Sequence, residues 1–245
     1  MEKWSKARAE EFLAQGYWFG SLPSAMKCSI IEHSELRQFQ QDSLVYRIGD
    51  PVDGMYAILE GDFRAYAYGD GRERILLRFL GPQSWFGDLH LLDNYPTRTF
   101  EFVSASAGAG LFLSKKAYDS IGEENPGNYR QFVRLHCIHT RFLVRIALEA
   151  RSAAPLRTAR ALLRIAKMHG RNTETGVALA INVTQSDIAS LVGVSRQYMN
   201  ELIQSWNEEK VLLWKGSSTP ILFISQLTKL LTPLDNWMLE SEGWA

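Results

Sequence analysis

Apolar positions change their period twice along the chain. From Leu44 to Ser114, short aromatic and aliphatic stretches alternate with glycine turns at Gly49-Asp50, Gly54, Gly61-Asp62, Gly69-Asp70-Gly71, Gly81-Pro82, Gly108 and Gly110, a spacing that predicts an all-β barrel or roll. Helical segments flank it. An N-terminal pair is expected over roughly residues 2 to 33, and one long helix follows Pro126. Along that helix Phe132, Leu135, His139, Phe142 and Ile146 recur at alternating spacings of three and four, the seam of a two-stranded coiled coil, and so they are expected at a dimer interface. The same stripe also suits a single helix packed on its own roll. Ser152-Ala153-Ala154-Pro155 should end the helix, because proline removes an amide donor and clashes with the preceding turn. An interdomain hinge is expected there.

Gln185 to Ser205 follows the pattern of a helix-turn-helix. Ile188, Val192, Val194, Met199 and Leu202 are the apolar positions two short crossed helices would bury, Ala189 is small at their approach, and Gly193 falls in the turn. Ser195, Arg196, Gln197 and Asn200 stay polar on the first turns of the second helix, the part that enters a major groove. An ordinary helical hairpin would not require that polar face. Val211 to Trp214 and Ile221 to Ile224, separated by KGSSTP, read as a hairpin that makes the motif winged, with Lys215 at its tip. The fold expected is α+β: a jelly-roll-like β-roll effector domain with flanking helices over 1–125, a dimerisation helix over 126–151, and a winged helix-turn-helix over 152–245. The apolar tail from Leu227 to Trp244 either caps the winged domain or adds to a dimer.

Composition limits the alternatives. The 245 residues have the hydrophobic and charged fractions of a soluble globular protein, no apolar run long enough to cross a bilayer, and an N-terminus, MEKWSKARAEEFL, unlike a signal peptide. A cytoplasmic protein without a membrane partner is expected. Cys28 and Cys137 are too few and too distant for a disulfide framework. The chain has no formal net charge, and from Arg151 onward about ten Lys and Arg face about eight Asp and Glu. Nonspecific DNA affinity should therefore be modest, with dimerisation needed to make binding useful. No phosphate loop or metalloprotease motif supports an enzyme.

Three segments, GDPVDGMYAILEGDFRAY, DGRERILLRFLGPQSWFGDLHLLD and SDIASLVGVSRQ, resemble in order the Crp/Fnr family of bacterial transcription regulators. The resemblance implies a cyclic-nucleotide-binding roll, a homodimer on a near-palindromic site in double-stranded DNA, and contact with RNA polymerase. It also implies an effector site: Gly87-Asp88-Leu89 stands where the family's phosphate-binding segment carries Gly-Glu, and Arg98-Thr99 matches its Arg and small hydroxyl residue. A nest of amides plus one fixed cation would face a cyclic phosphate there. Three departures argue against adenine selectivity. Asp88 is one methylene shorter than Glu, Phe100 is bulky where the family has Ala, and Phe142 and Leu143 replace hydroxyls that read the base. The effector is then a cyclic nucleotide of the cAMP type or another ligand, or the pocket is vestigial with Asp88 and Arg98 paired. With an effector, repacking around Phe142 and Ile146 would pass through the hinge to the spacing of two recognition helices.

His136, Cys137 and His139 share the long helix, with His90 in the roll, but this spacing is more typical of solvated or interfacial histidines and no metal is assigned. For DNA, Arg196 suits guanine O6 and N7, Gln197 or Asn200 suits adenine N6 and N7, and Glu201 accepts from cytosine N4. Gln185, Ser186, Ser195 and Lys215 are expected on phosphates.

Overall fold

The computed structural model describes residues 4–71, 73–93, 95–216 and 218–232. Helices α1 (Lys6–Leu13), α2 (Tyr17–Gly20) and α3 (Ser24–His33) lead into strands β1 (Ser34–Phe39), β2 (Ser43–Tyr46), β3 (Gly54–Glu60), β4 (Phe63–Tyr68), β5 (Arg74–Leu80), β6 (Trp85–Phe86), β7 (Glu101–Ser104) and β8 (Gly108–Ser114). Helix α4 (Lys115–Glu124) and the long α5 (Pro126–Glu149) follow. After them come α6 (Ala154–His169), β9 (Gly170–Asn172), β10 (Val177–Leu179), α7 (Gln185–Val192), α8 (Arg196–Glu208), β11 (Leu212–Leu213), β12 (Ile221–Leu222) and α9 (Ile224–Lys229). The described residues divide into two compact units, one from residues up to 67 and from 79 to 143, the other from 68 to 78 and from 144 onward. No helix among them is long and apolar enough to cross a membrane.

The roll consists of two four-stranded sheets, ordered β1-β8-β3-β6 and β2-β7-β4-β5. It begins ten residues before the expected Leu44. Strand β1, SELRQF, buries little beyond Ser34 and so lacks the alternation that marks a strand in sequence, yet it pairs along its length with β8. Aromatic side chains fill the space between the sheets. Phe86 stacks on Phe102 at 4.5 Å and on Tyr56 at 5.1 Å, while Tyr46 meets Phe102 at 5.1 Å and Phe63 meets Phe39 at 5.2 Å. Such offset and edge contacts add to simple area burial.

A second apolar cluster joins the N-terminal helices to α5. Trp18 meets Trp85 at 5.1 Å, Phe19 stacks on Trp85 at 5.6 Å, and Phe132 of α5 lies 4.0 Å from Tyr118 of α4. The Trp18 indole donates to the Gln131 carbonyl at 2.8 Å. This corrects the expected dimer seam. Phe132 and Leu135 are buried within their own chain, at 2% and 0% exposure, so they do not wait for a partner. His139 also turns to its own roll, and Phe142 and Ile146 are half-buried. The exposed apolar positions of α5 are instead Val133, Leu143, Val144 and Leu148. A three-and-four repeat reports an apolar face without saying what covers it.

The expected hinge is differently built as well. Helix α5 continues to Glu149, and Pro155 lies in the first turn of α6, where an amide proton would have no helical partner, so it starts a helix rather than clashing with one. Residues 150–153 are tied on both sides. The Glu149 carboxylate accepts from Arg145 and from Arg164, each at 2.8 Å, with Glu149 and Arg164 both buried. Arg157 donates to the carbonyls of Ala150, Ser152 and Val192. The C-terminal sheet, ordered β11-β12-β10-β9, is wider than the expected two-stranded wing, while each wing strand is only two residues long and Ile224 already begins α9. Leu227 is buried, whereas most of the apolar tail lies outside the described residues. Replacing Glu149 with Ala strands the buried Arg164 cation, so chemical denaturation should register a loss of about 3–5 kcal/mol; a loss within error of zero would show the network to be incidental.

Candidate functional site

Gly87-Asp88-Leu89 follows directly on β6, and Gly87 has φ +88°, a left-handed conformation that favours glycine. Residues 97–99 run beside 49–51: Pro51 and Thr97 form a bridge, the Arg98 amide donates to the Asp50 carbonyl, and the Gly49 amide donates to the Arg98 carbonyl. These pairings direct the Arg98 side chain inward, where it is 4% exposed. Its Nη1 donates to the Gly87 carbonyl at 2.7 Å, and its Nη2 donates to the Gly54 carbonyl and Asp53 Oδ1, each at 2.6 Å. The guanidinium carbon sits 4.2 Å from the centroid of the Tyr46 ring. The cation is therefore neutralised by an aspartate, bonded to two carbonyls and stacked on a ring, all from its own chain.

Asp88 and Arg98 do not pair with each other, contrary to the vestigial arrangement considered above. The Asp88 carboxylate, 7% exposed, accepts from His139 Nδ1 at 2.9 Å and faces His136 Nδ1 at 3.7 Å. Burial alone would raise its pKa, but the two imidazoles more than offset this and hold the carboxyl well below the usual range. The same carboxylate raises His136 above its ordinary 6.5 against the effect of partial burial. Thr99 is also engaged, its hydroxyl 3.0 Å from His90 Nε2. Phe142 is half-buried and Leu143 is 41% exposed. Sequence reasoning missed Asp53 and Tyr46, which approach Arg98 only once β2 and β3 have folded, and it placed His139 on the wrong partner.

The residues expected to face DNA are set by caps. Thr184 opens α7 with a capping box, its hydroxyl accepting from the Asp187 amide while Asp187 accepts from the Thr184 amide. Gly193, at φ +73°, closes α7, and Ser195 caps α8 by accepting from the Tyr198 amide at 3.1 Å. Ile188, Val192 and Met199 are buried as expected, but Ile203 and Trp206 complete the apolar face where Leu202 and Val194 are only half-buried. Arg196, Gln197, Asn200 and Glu201 are exposed on the first turns of α8. Gln197 donates to Glu201 at 3.0 Å, so these two expected base readers form one unit. Ser186 is exposed and Gln185 half-exposed at the start of α7, and Lys215 is exposed at the wing turn, which Ser218 closes by donating to the Lys215 carbonyl.

A sensor-type β roll carried on one chain with a winged helix-turn-helix defines a DNA-binding transcription regulator. The family models agree: that of the cyclic nucleotide-binding domain matches residues 36–125, and that of the Crp-like helix-turn-helix domain matches 156–231. The chain belongs to the Crp/Fnr family of transcription regulators. It is 29% identical over 217 residues to the CRP-like cAMP-activated global transcriptional regulator of Mycobacterium tuberculosis (strain CDC 1551 / Oshkosh), an alignment covering 86% of this chain and 95% of that protein. The cAMP-activated global transcriptional regulator CRP of Haemophilus influenzae is 21% identical over 192 residues, covering 77% and 84%. Among solved structures, FixK2 from Bradyrhizobium japonicum shares the fold with a TM-score of 0.70 at 16% identity, over 81% of this chain and 98% of that one. The c-di-GMP responsive regulator CLP of Xanthomonas campestris does so at 0.69 and 19%, over 82% and 99%.

The Asp88 pairing has a defined pH signature. Its carboxylate contribution is present above 3.8 and lost as pH falls through the lowered native value, whereas the His136 contribution is present below 6.5 and lost as pH rises through the raised native value. The Tm advantage of the wild type over Asp88→Asn should be largest between these limits and shrink toward pH 9. An advantage that grows with pH would refute the pairing.

Proposed function

We propose that the chain is a homodimeric, sequence-specific DNA-binding regulator whose roll is held in its working form without a cyclic nucleotide. The observation that carries this reading is the enclosure of Arg98. An incoming phosphate would compete with Asp53 and two carbonyls for a buried guanidinium; Asp53 is exposed and can turn to water, whereas a buried carbonyl left unmet costs about 1–3 kcal/mol. Asp88 is engaged by His139, and aromatic rings occupy the space between the sheets. The Mycobacterium tuberculosis relative is cAMP-activated; in this chain the corresponding anchors serve the fold.

Dimerisation is assigned to the outer face of α5. Val133, Cys137, Thr140, Val144 and Ala147 are exposed at alternating spacings of four and three, with Leu148 beside them at 62% exposure. Paired chains would present two copies of α8 to half-sites about one DNA turn, roughly 34 Å, apart. Arg196 then reads guanine, Asn200 reads adenine, and the Gln197–Glu201 unit presents both an amide and an acceptor to the neighbouring pair. Ser195, Gln185, Ser186 and Lys215 set the register on phosphates, the first through its capped helix end. Contact with RNA polymerase would convert occupancy into regulation.

Two measurements test this. An anisotropy titration of an operator selected from a random library should give the same affinity with and without cAMP, within twofold; a tightening of tenfold or more would overturn effector independence. In the same assay Arg196→Ala should weaken the selected operator by about 1–3 kcal/mol and relax the preference at one base pair. An equal loss on every sequence would reduce Arg196 to a phosphate contact.

A further inference from the structure

A groove outside the roll gathers three arginines on one helix. Tyr17 of α2 and residues Arg130, Val133, Arg134, Cys137, Ile138 and Arg141 of α5 line an open groove of about 310 Å³, at the small end of the range for small-molecule sites. Three guanidiniums thus recur along one face of a helix, Arg130 and Arg141 about 16 Å apart along its axis. None forms an ion pair among the described residues; Arg134 donates to the Gln131 side chain at 2.6 Å and more weakly to the Ser21 hydroxyl at 3.4 Å. Glu149, the only acid in α5, is engaged by Arg145 and Arg164. Arg130 and Arg134, one turn apart, repel each other and weaken the helix slightly. The Tyr17 ring, 53% exposed, and the side chains of Val133 and Ile138 add an aromatic and apolar wall.

We infer that this groove binds a nucleotide, with its phosphates on Arg130, Arg134 and Arg141 and its base against Tyr17 and the apolar wall. A phosphate chain supplies the charge that the groove lacks. Guanidinium planes and a phenol ring suit a flat aromatic base, and the two kinds of contact together separate a nucleotide from a bare anion. The groove borders the exposed stripe of α5: Val133 and Cys137 belong to both, while the arginines fall on the flank, so a partner chain docked along the stripe would edge the groove rather than fill it. Bound phosphate would also screen the arginines of two facing helices. The inference goes beyond the proposed function and does not depend on it, because binding here is read independently of the response of DNA affinity to cAMP.

Calorimetry of the full chain with ADP, inorganic pyrophosphate and cAMP decides the matter. ADP should bind best, pyrophosphate less well for want of a base, and cAMP least well for want of charge. The exposed double substitution Arg130→Gln/Arg141→Gln should weaken ADP at least tenfold while leaving the circular dichroism spectrum unchanged and the Tm no lower. Tyr17→Ala should weaken ADP but not pyrophosphate. The proposal is overturned if ADP gives no saturable heat, or if the double variant binds it as the wild type does. Equal affinity for ADP and pyrophosphate would overturn the nucleotide assignment.

Discussion

A buried guanidinium must be surrounded by acceptors, and the roll is organised around how Arg98 meets that requirement. Asp53 and the Gly54 carbonyl stand at the start of β3, the Gly87 carbonyl lies in the loop after β6, and Tyr46 ends β2. One side chain therefore ties together three segments far apart in sequence. A cation already paired within its own chain gains less from an incoming phosphate than a bare one would. Here three of the five N–H donors are met within the chain, leaving Nε and one proton of Nη1.

Asp88 extends the arrangement to α5. Its contacts with His139 and His136 fix the phosphate-type loop against the long helix, much as a ribose hydroxyl and phosphate would link loop to ligand. The helix is also held by Phe132 and Leu135 in the cluster with Tyr118 and Trp18. What remains on its outer face is a short apolar stripe beside a row of arginines. The division between inward and outward faces is thus set by packing within one chain, and any assembly or ligand must use what is left.

The winged half was the most legible in sequence, because local chemistry specifies it. Gly193 at positive φ, the polar start of α8 and the alternation of wing and turn are properties of neighbouring residues. Its misassignments were small: Ile203 and Trp206 rather than Leu202 complete the core of the second helix. The roll was legible as a class from its glycine spacing, but polar β1 left no signal. The expected effector loop could be located by residue type and could not be interpreted, because the partners of Arg98 and Asp88 lie 45 and 51 residues away. The seam on α5 failed for a related reason. Periodicity identifies an apolar face, whereas the choice between its own roll and a second chain depends on tertiary packing.

The central claim, that the roll holds Arg98 in contacts of its own without a ligand, is tested most directly by following the Arg98 guanidinium itself. In ¹H–¹⁵N spectra of the full chain, with the signal assigned by its loss in Arg98→Lys, the Arg98 side chain should be resolved and exchange slowly without ligand. It should not move when cAMP is added to millimolar concentration. A guanidinium that exchanges rapidly in the free protein and becomes ordered with a large shift on adding cAMP would contradict the account.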